Sequence, residues 1–380
     1  MAKVQGQEEM KKAIIFLEDG FSLEGDLFGT PGEKIGELVF NTSMSGYQEI
    51  LTDPSYKGQI VIMTYPLIGN YGISMEDSQS LRPQAEGVVV REYSKTYSNW
   101  RAERSLGGYL KEYRVTGVSG IDTRALTRHI RIQGAMKAII STEDFDQKSL
   151  MKKVKAAPDI VGRNLVKDVT CNSVYDFTDG NDSKDKRIKT GDKRYRVVVM
   201  DFGVKHSILV LLKENNCSVT VVPAQTRAED ILSLNPDGIV LSNGPGDPAP
   251  LLEIVAEIRK LIGKKPLFGI CLGHQLLGLA MGGKTFKLKF GHHGGNHPVK
   301  EMNRGKIIIT CQNHGFCIDR DSLKSEDVEV THINLNDGTL EGIKHKRYPL
   351  FSVQFHPEAG PGPHEGQYLF KRFTELMNHA

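Results

Sequence analysis

The second half of the chain alternates short apolar runs with segments whose apolar residues recur at helical spacing. Four runs are apolar enough to be strands buried on both faces, at 197–200, 218–222, 238–241 and 266–270. Residues 251–262 place apolar side chains three and four positions apart, which indicates a helix. Thr226 and Glu229 form the pattern of a capping box at the start of another helix. Repeated strand-helix-strand units predict an α/β domain with a doubly wound, mostly parallel sheet, which binds ligands at the carboxyl ends of its strands.

The first half has a different pattern, in which short β-branched or apolar runs are separated by Gly and Pro turns. It predicts a β-rich α+β domain with some helix, one helix beginning near Asp122. The clearest strand candidates are 13–17, 37–40 and 59–63. Between the halves, a segment of mostly Asp, Lys, Gly, Asn and Ser contains too few apolar residues to offset the entropy of packing. We therefore expect an amino-terminal domain, a linker and a carboxy-terminal domain at 1–175, 176–195 and 196–380.

The composition is typical of a globular protein and does not identify a binding partner. A chain of 380 residues exceeds the usual size of one hydrophobic core, and 39% hydrophobic with 25% charged residues is ordinary for a globular protein. The 49 basic and 46 acidic residues nearly balance, which argues against a nucleic-acid partner. Five irregularly spaced cysteines do not predict a disulfide framework. The apolar run 13–17 is too short for a signal peptide or a membrane span, so we expect a cytoplasmic protein without a membrane partner.

A cysteine lies where a predicted buried strand meets a predicted helix. Gly269 and Gly273 flank Cys271 at two positions on either side, the pattern of a nucleophile elbow. Small flanking residues relieve the crowding of such a tight turn, which holds the central side chain at the end of the strand. The positive end of the helix dipole favours a thiolate there. A buried, inert cysteine is the alternative, and the two glycines at a strand-helix junction argue against it.

Two further segments also follow predicted strands. A cysteine nucleophile needs a base and a group that orients the base, and His356 and Glu358 come directly after the apolar run 350–355. By itself a histidine at this position is more often structural, but its combination with Cys271 favours catalysis. The Gly-Pro-Gly turn at 244–246 could direct backbone N–H groups at an anionic intermediate, together with the amide of Leu272. Taken without the other motifs, a plain tight loop is an equal alternative.

Together these motifs resemble the class I, or triad, glutamine amidotransferases. Longer segments resemble one family more closely, the small subunits of carbamoyl-phosphate synthetases. The segments are FNTSMSGYQEILTDPSY at 40–56, GIDTR at 120–124 and FGHHGGNHP at 290–298. The resemblance runs from about residue 12 to the carboxyl terminus.

This resemblance implies a role for particular residues. It makes Cys271 the nucleophile and His356 and Glu358 the other members of the triad. The residues that hold the substrate L-glutamine would be Ser55, Gly244, Gly246, Leu272, Gln275, Asn313, Gly315 and Phe316. It also implies that glutamine hydrolysis supplies ammonia to a large subunit that makes carbamoyl phosphate.

No cofactor is expected in this chain, because no Walker-type loop or dinucleotide fingerprint occurs in it. Carbamoyl phosphate synthesis requires ATP, so ATP and its metal are expected on the partner subunit. His292, His293 and His297 could suggest a metal site. Adjacent histidines point in opposite directions on a strand, and no carboxylate or cysteine lies at ligand spacing, so we expect no metal and a structural loop. Cys311 and Cys317 are expected to be buried small residues.

Other functions remain open at this stage. The same fold could belong to a different class I amidotransferase or to a free-standing γ-glutamyl hydrolase, although the amino-terminal resemblance argues against both. A third possibility is a non-catalytic scaffold. The intact set of Cys271, His356 and Glu358 argues against it.

Overall fold

The structure is a computed structural model that describes residues 11–178, 194–324 and 326–378. The chain divides into two compact units, here named the barrel unit and the sheet unit. The barrel unit contains residues up to 40, 59–76 and 85–158, and the sheet unit contains 41–58, 77–84 and 159 onward. The linker expected at 176–195 lies largely outside the described residues, so the domain boundaries drawn from the sequence stay a prediction.

The amino-terminal part of the chain is rich in short strands, as the Gly- and Pro-punctuated pattern predicts. The strands are β1 (Lys12–Leu17), β2 (Ser22–Gly29), β3 (Glu33–Asn41), β4 (Gln59–Met63), β5 (Leu67–Ile68), β6 (Gly87–Val89), β7 (Glu92–Tyr93), β8 (Thr116–Ser119) and β9 (Met136–Ser141). The helices are α1 (Tyr47–Thr52), α2 (Leu106–Glu112), α3 (Thr123–Gln133) and α4 (Gln147–Ala156). The seven strands other than β5 and β7 close into a barrel in the order β1-β2-β8-β6-β4-β3-β9. Asp122 caps α3 by accepting a hydrogen bond from the amide of Ala125 at 2.9 Å, so this predicted helix start is confirmed.

The residues from 159 onward form most of the sheet unit. Its strands are β10 (Tyr175–Asp176), β11 (Tyr195–Asp201), β12 (Cys217–Pro223), β13 (Gly238–Leu241), β14 (Leu267–Ile270), β15 (Lys284–Glu301), β16 (Ile307–Asp319), β17 (Val328–Asn334), β18 (Leu340–His345) and β19 (Leu350–Val353). Its further helices are α5 (His206–Glu214), α6 (Ala228–Ser233), α7 (Leu252–Leu261), α8 (Leu272–Ala280) and α9 (Tyr368–Asn378).

These strands form one sheet in the order β10-β12-β11-β13-β14-β19-β18-β17-β15-β16. The five strands from β12 to β19 in this order run parallel, and the remaining strands are antiparallel to their neighbours. Along β11, Val197 and Val199 pack with α5 and α9, whereas Val198 and Met200 pack with α7 and α8. Both faces of the parallel strands are therefore buried under helices, which explains their apolar runs.

The expected mixed α/β fold with a β-rich amino-terminal part is confirmed. The capping box at Thr226 is wrong, because α6 begins at Ala228 after Arg227, and the hydroxyl of Thr226 donates instead to the carbonyl of Pro223. The side chain of Glu257 in α7 accepts from the amide of Ala228 at 2.8 Å. A tertiary contact thus replaces the local cap. Of the helices in the described ranges, none has the length and apolar character that crossing a bilayer requires.

Parallel pairing places the carboxyl ends of β11, β13, β14 and β19 at one edge of the sheet. The segments that follow these strands begin at Phe202, Ser242, Cys271 and Gln354. All candidate catalytic residues therefore come from this edge.

Candidate active site

Cys271 occupies a backbone conformation that few side chains adopt. It separates β14 from α8 with φ 52° and ψ −104°, a positive φ that is strained for a residue other than glycine. Its amide donates to the carbonyl of Val353 at 2.9 Å, and the amide of Gly273 donates to the carbonyl of Ser242 at 3.0 Å. Bonds to β19 and to the end of β13 thus fix the turn from both sides.

Glycine is required on both sides of this turn by steric contact. A Cβ on Gly273 would lie 2.1 Å from the carbonyl oxygen of Leu241, and one on Gly269 would lie 2.8 Å from the carbonyl oxygen of Gly273. Neither backbone atom can move aside as a flexible side chain would. The two glycines that mark the motif in the sequence are therefore needed for packing the strand against the helix.

His356 and Glu358 form a buried pair just beyond β19. Nδ1 of His356 lies 2.6 Å from Oε1 of Glu358, and the amide of His356 donates to the carbonyl of Cys311 at 2.9 Å. Among the residues that the structure describes, Nε2 of His356 is buried without a hydrogen-bond partner. Since Nδ1 is held by the carboxylate, Nε2 is the ring nitrogen left to exchange a proton with another group.

The charges around this pair favour the ionised forms of both residues. Burial lowers the pKa of His356, but Glu358 and the sulfur of Cys271 raise it, and the result lies well above the usual value. Burial raises the pKa of Glu358, yet Lys205 and His356 lower it to about 2. The imidazolium is thus the stable form of His356 beside a carboxylate.

Lys205 is a member of the site that sequence reasoning missed. Its Nζ lies 3.0 Å from Oε1 of Glu358 and also donates to the carbonyl of Ala359, with both charged side chains buried. Burial lowers the pKa of Lys205, but Glu358 raises it above its usual range. No motif marks this lysine, although it lies just beyond β11, at the edge where the predicted sheet would bind a ligand. A buried charge survives only when it is paired, so Lys205 and Glu358 depend on each other.

Ser55 lies in a 3₁₀ turn (Pro54–Tyr56) of the sheet unit, against the segment that follows β13. Nδ2 of the Asn243 side chain donates to the hydroxyl of Ser55 at 3.0 Å. Asp53, also missed in the sequence, accepts from the backbone amide of Ser55 at 2.9 Å and from Nδ2 of Asn313 at 2.8 Å. Two residues expected to bind glutamine, Ser55 and Asn313, are thus held by one carboxylate.

A second set of contacts joins the expected residues on α8 and β16. Nε2 of Gln275 donates to the carbonyl of Phe316 at 2.7 Å, and Sγ of Cys271 donates to the carbonyl of Asn313 at 3.6 Å. A Cβ on Gly315 would meet no atom within 4 Å. Open space therefore lies beside the strand at this point.

The two glycines of the Gly-Pro-Gly turn have different neighbours. A Cβ on Gly244 would lie 2.7 Å from Cδ2 of Leu272 and 2.3 Å from the carbonyl oxygen of Phe202. Gly246 has a φ of 83° and lies against Leu165. The structure thus places Gly244 next to Leu272. Gly246 instead lies against Leu165, which is not among the residues expected to bind glutamine.

The histidine segment 290–298 belongs to the long strand β15, so the loop expected there is wrong. His293 contacts Oδ1 of Asn313 at 2.9 Å, while His292 contacts Oδ2 of Asp337 at 2.8 Å, as expected for adjacent strand residues. The expectation that no carboxylate lies at ligand spacing is wrong, because His292, His314 and Glu341 bring ligand-type atoms within 4.8 Å of one another. Such spacing is compatible with a metal ion.

Two members of this cluster, Glu341 and His314, are already engaged by protein groups, whereas Nδ1 of His292 has no hydrogen-bond partner among the described residues. The two oxygens of Glu341 accept from Gln312 at 2.9 Å and from Asn334 at 2.8 Å. The ring nitrogens of His314 contact the carbonyl of Phe316 at 2.8 Å and Oε1 of Gln312 at 3.0 Å. A hydrogen-bond network that supports β16 accounts for these contacts. Cys311 and Cys317 are buried and free, as expected.

Each of the two parts of the chain matches the model of a known protein family. Residues 198–376 match the family model described as glutamine amidotransferase class-I, so this part of the chain is a class I glutamine amidotransferase domain. Residues 15–140 match the model described as carbamoyl-phosphate synthase small chain, CPSase domain.

Curated relatives extend the match to nearly the full length. A carbamoyl phosphate synthase small chain from Syntrophotalea carbinolica is 56% identical over 96% of this chain and 98% of its own length. Those from Aquifex aeolicus and Nitratidesulfovibrio vulgaris are 55% and 52% identical, over 96% and 97% of this chain and 99% of each relative. The chain belongs to the carbamoyl phosphate synthase small chain family.

Proposed function

We propose that the chain hydrolyses the side-chain amide of L-glutamine and delivers the ammonia to an ATP-dependent large subunit that makes carbamoyl phosphate. The observation that carries this proposal is the strained turn at Cys271, whose sulfur raises the pKa of the buried His356 imidazole, a ring held at Nδ1 by Glu358. We interpret the turn as the nucleophile elbow of a doubly wound sheet. The family to which the chain belongs supports the choice of substrate and product.

The first half of the reaction forms a thioester. The Cys271 thiolate attacks the amide carbon of glutamine, and the C–N bond breaks as His356 donates a proton to the leaving nitrogen, which departs as ammonia. The raised pKa of His356 suits this role, because its imidazolium carries the proton that the leaving group needs. Glu358 holds the ring through Nδ1 and stabilises its positive charge.

The second half releases glutamate. Neutral His356 takes a proton from water, the hydroxide attacks the thioester carbon, and the carbon–sulfur bond breaks to restore the thiolate. In both halves the oxyanion would be held by the backbone amides of Leu272 and Gly244, which follow the ends of neighbouring strands. Lys205 maintains the negative charge of Glu358 throughout.

The remaining expected residues would bind glutamine. Ser55 and Asn313 present polar groups that Asp53 and Asn243 hold in place. Gln275 and Phe316 are joined by a hydrogen bond, Gly315 borders open space, and Gly246 lies in the turn after β13. We expect no cofactor in this chain, and we assign ATP and its metal to the large subunit. A cytoplasmic location without nucleic-acid or membrane partners accords with the balanced charge.

The nucleophile is tested by Cys271→Ser. Glutamine hydrolysis should fall by at least about a thousandfold, because the thiolate forms the covalent intermediate. Carbamoyl phosphate synthesis from added ammonia by the assembled complex should persist, since free ammonia bypasses this site. Circular dichroism and binding to the large subunit control for folding. A variant that hydrolyses glutamine at the wild-type rate would refute the assignment.

Assay of the isolated chain and of its complex with the large subunit distinguishes the proposed subunit from a free-standing hydrolase. A hydrolase acting alone would waste glutamine, so we expect docking to raise glutaminase turnover by favouring the aligned site. Full activity in isolation, together with failure to bind the large subunit at micromolar concentration, would favour a free-standing γ-glutamyl hydrolase instead.

A further inference from the structure

Gln354 contacts the nucleophile but has no part in the mechanism described above. It lies two residues before His356, and its side chain is fully buried. Its Nε2 donates to Sγ of Cys271 at 3.7 Å, and its Oε1 accepts from Nε2 of Gln275 at 3.1 Å. Its backbone amide donates to the carbonyl of Glu341 at 2.9 Å, which fixes the main chain.

The orientation of this amide is determined by a chain of hydrogen bonds. It starts at the carbonyl of Phe316, which can only accept, so Nε2 of Gln275 must face it. The same Nε2 also faces Oε1 of Gln354. If the Gln354 amide rotated by 180°, its own NH₂ group would oppose the NH₂ group of Gln275, with no acceptor between them. The backbone carbonyl therefore directs an N–H of Gln354 at the sulfur.

A donor aimed at sulfur affects the two protonation states differently. A thiol sulfur is a weak acceptor, whereas an N–H group stabilises the negative charge of a thiolate. Hydrogen bonding to the charged form favours that form. The same side chain also holds Gln275, so the nucleophile and a glutamine-contacting residue are coupled through one buried amide.

We propose that Gln354 is a positioning residue that stabilises the Cys271 thiolate by N–H donation while fixing the orientation of Gln275. This inference rests on the proposed function, because it concerns the nucleophile of that reaction. It extends the site by a residue that touches both Cys271 and Gln275 and reacts with neither.

The test is the pH dependence of alkylation of Cys271 by iodoacetamide, followed by mass spectrometry of the peptide that contains it. Gln354→Met keeps the length of the side chain but removes the donor. In this variant the midpoint of the pH profile of alkylation should move about one pH unit upward. Below that midpoint, alkylation should be about tenfold slower, as expected for loss of one hydrogen bond to a charged group. Gln354→Glu keeps the acceptor for Gln275 but places a carboxylate beside the sulfur, so its midpoint should rise further.

The matched control is Gln59→Met, which removes a buried glutamine that bonds Glu37 in the barrel unit. It should leave the alkylation profile unchanged. If Gln354→Met does not fold, the smaller neutral variant Gln354→Leu, which also lacks a donor, carries the test and should show the same upward shift. An unshifted profile in a folded Gln354 variant overturns the inference. Failure of the proposed function would instead appear as glutamine hydrolysis that survives Cys271→Ser, whatever the alkylation profile of the Gln354 variants.

Discussion

Single residues contribute to this site mainly through charge and hydrogen bonding in a buried setting. Cys271, His356, Glu358 and Lys205 are all almost fully excluded from solvent. In such surroundings an unpaired polar group costs more free energy than a hydrogen bond gains at the surface. The consequences of a substitution at this scale therefore depend on which partner is left behind.

Ser55→Ala removes a hydroxyl that the side-chain Nδ2 of Asn243 holds in place. If this hydroxyl contacts glutamine equally in the ground state and the transition state, KM should rise about tenfold with little change in kcat. Steady-state glutaminase kinetics measure both constants. A fall in kcat alone would indicate a catalytic role for Ser55 and would contradict the binding role expected from the sequence.

Lys205→Met leaves the buried carboxylate of Glu358 without its cationic partner. We expect a loss of about 3–5 kcal/mol in the free energy of unfolding, the usual effect of breaking a buried ion pair. Glutaminase activity should fall with it, because Glu358 then takes up a proton more readily and holds His356 less well. Urea denaturation and kinetics measure the two effects. Lys260→Met, at an exposed pair with Glu257, is the control and should cost less than about 1 kcal/mol.

At the scale of secondary-structure elements, the decisive feature is how closely α8 approaches β13 and β14. The approach is possible only with glycine at 269 and 273, as the steric contacts of an added Cβ indicate. The result is a turn that holds the cysteine in an unusual conformation, and the surrounding backbone hydrogen bonds supply the compensating stability.

Gly273→Ala and Gly315→Ala form a matched pair at this scale. Alanine at 273 would overlap the carbonyl of Leu241, so the free energy of unfolding should fall by about 3 kcal/mol or more. Alanine at 315 meets no atom within 4 Å and should leave stability nearly unchanged. If glutamine occupies that space, KM should nevertheless rise in Gly315→Ala. Thermal unfolding and glutaminase kinetics separate these outcomes, and an unchanged KM would exclude the space as the substrate site.

At the scale of the whole molecule, buried histidines connect stability with pH. Burial lowers the pKa of His274 to about 3 and that of His293, His297 and His332 to about 4 from a usual 6.5, and that of His314 well below 6.5. These imidazoles stay neutral in the folded chain and take up protons on unfolding. Between pH 6.5 and about 4, the unfolded chain therefore binds more protons at these five groups.

Glu341 acts in the opposite sense, because burial raises its pKa to about 7 from 4.5. In the folded chain it is protonated below that value, so it adds stability as the pH falls toward 4.5. One carboxyl cannot offset five histidines, so the free energy of unfolding should fall on acidification from pH 6.5 to 4.5. Each net proton contributes about 1.4 kcal/mol per pH unit. Urea unfolding midpoints measured between pH 6.5 and 4.5 test whether stability falls on acidification. A midpoint that rises toward pH 4.5 would contradict this prediction.

The sequence by itself determined the elements and the family. Apolar runs at 197–200 and 238–241 predict the strands β11 and β13 because both faces of a parallel sheet are buried, a property that local composition records. Gly269 and Gly273 identify the turn at Cys271 because their role is steric and local in the chain. The ordered segments at 40–56 and 290–298 indicated the small-chain family to which the chain belongs.

Only the tertiary structure decided which distant groups share the site. Lys205 and Glu358 are 153 positions apart in the sequence, yet they form a buried ion pair. Glu341 joins His292 and His314, although the spacing along the chain suggested no carboxylate near them. The cap of α6 comes from Glu257 instead of Thr226. Local sequence patterns reflect the periodicity of burial. The pairing of charged and amide groups depends instead on how the strands align across the sheet, and no local pattern predicts that alignment.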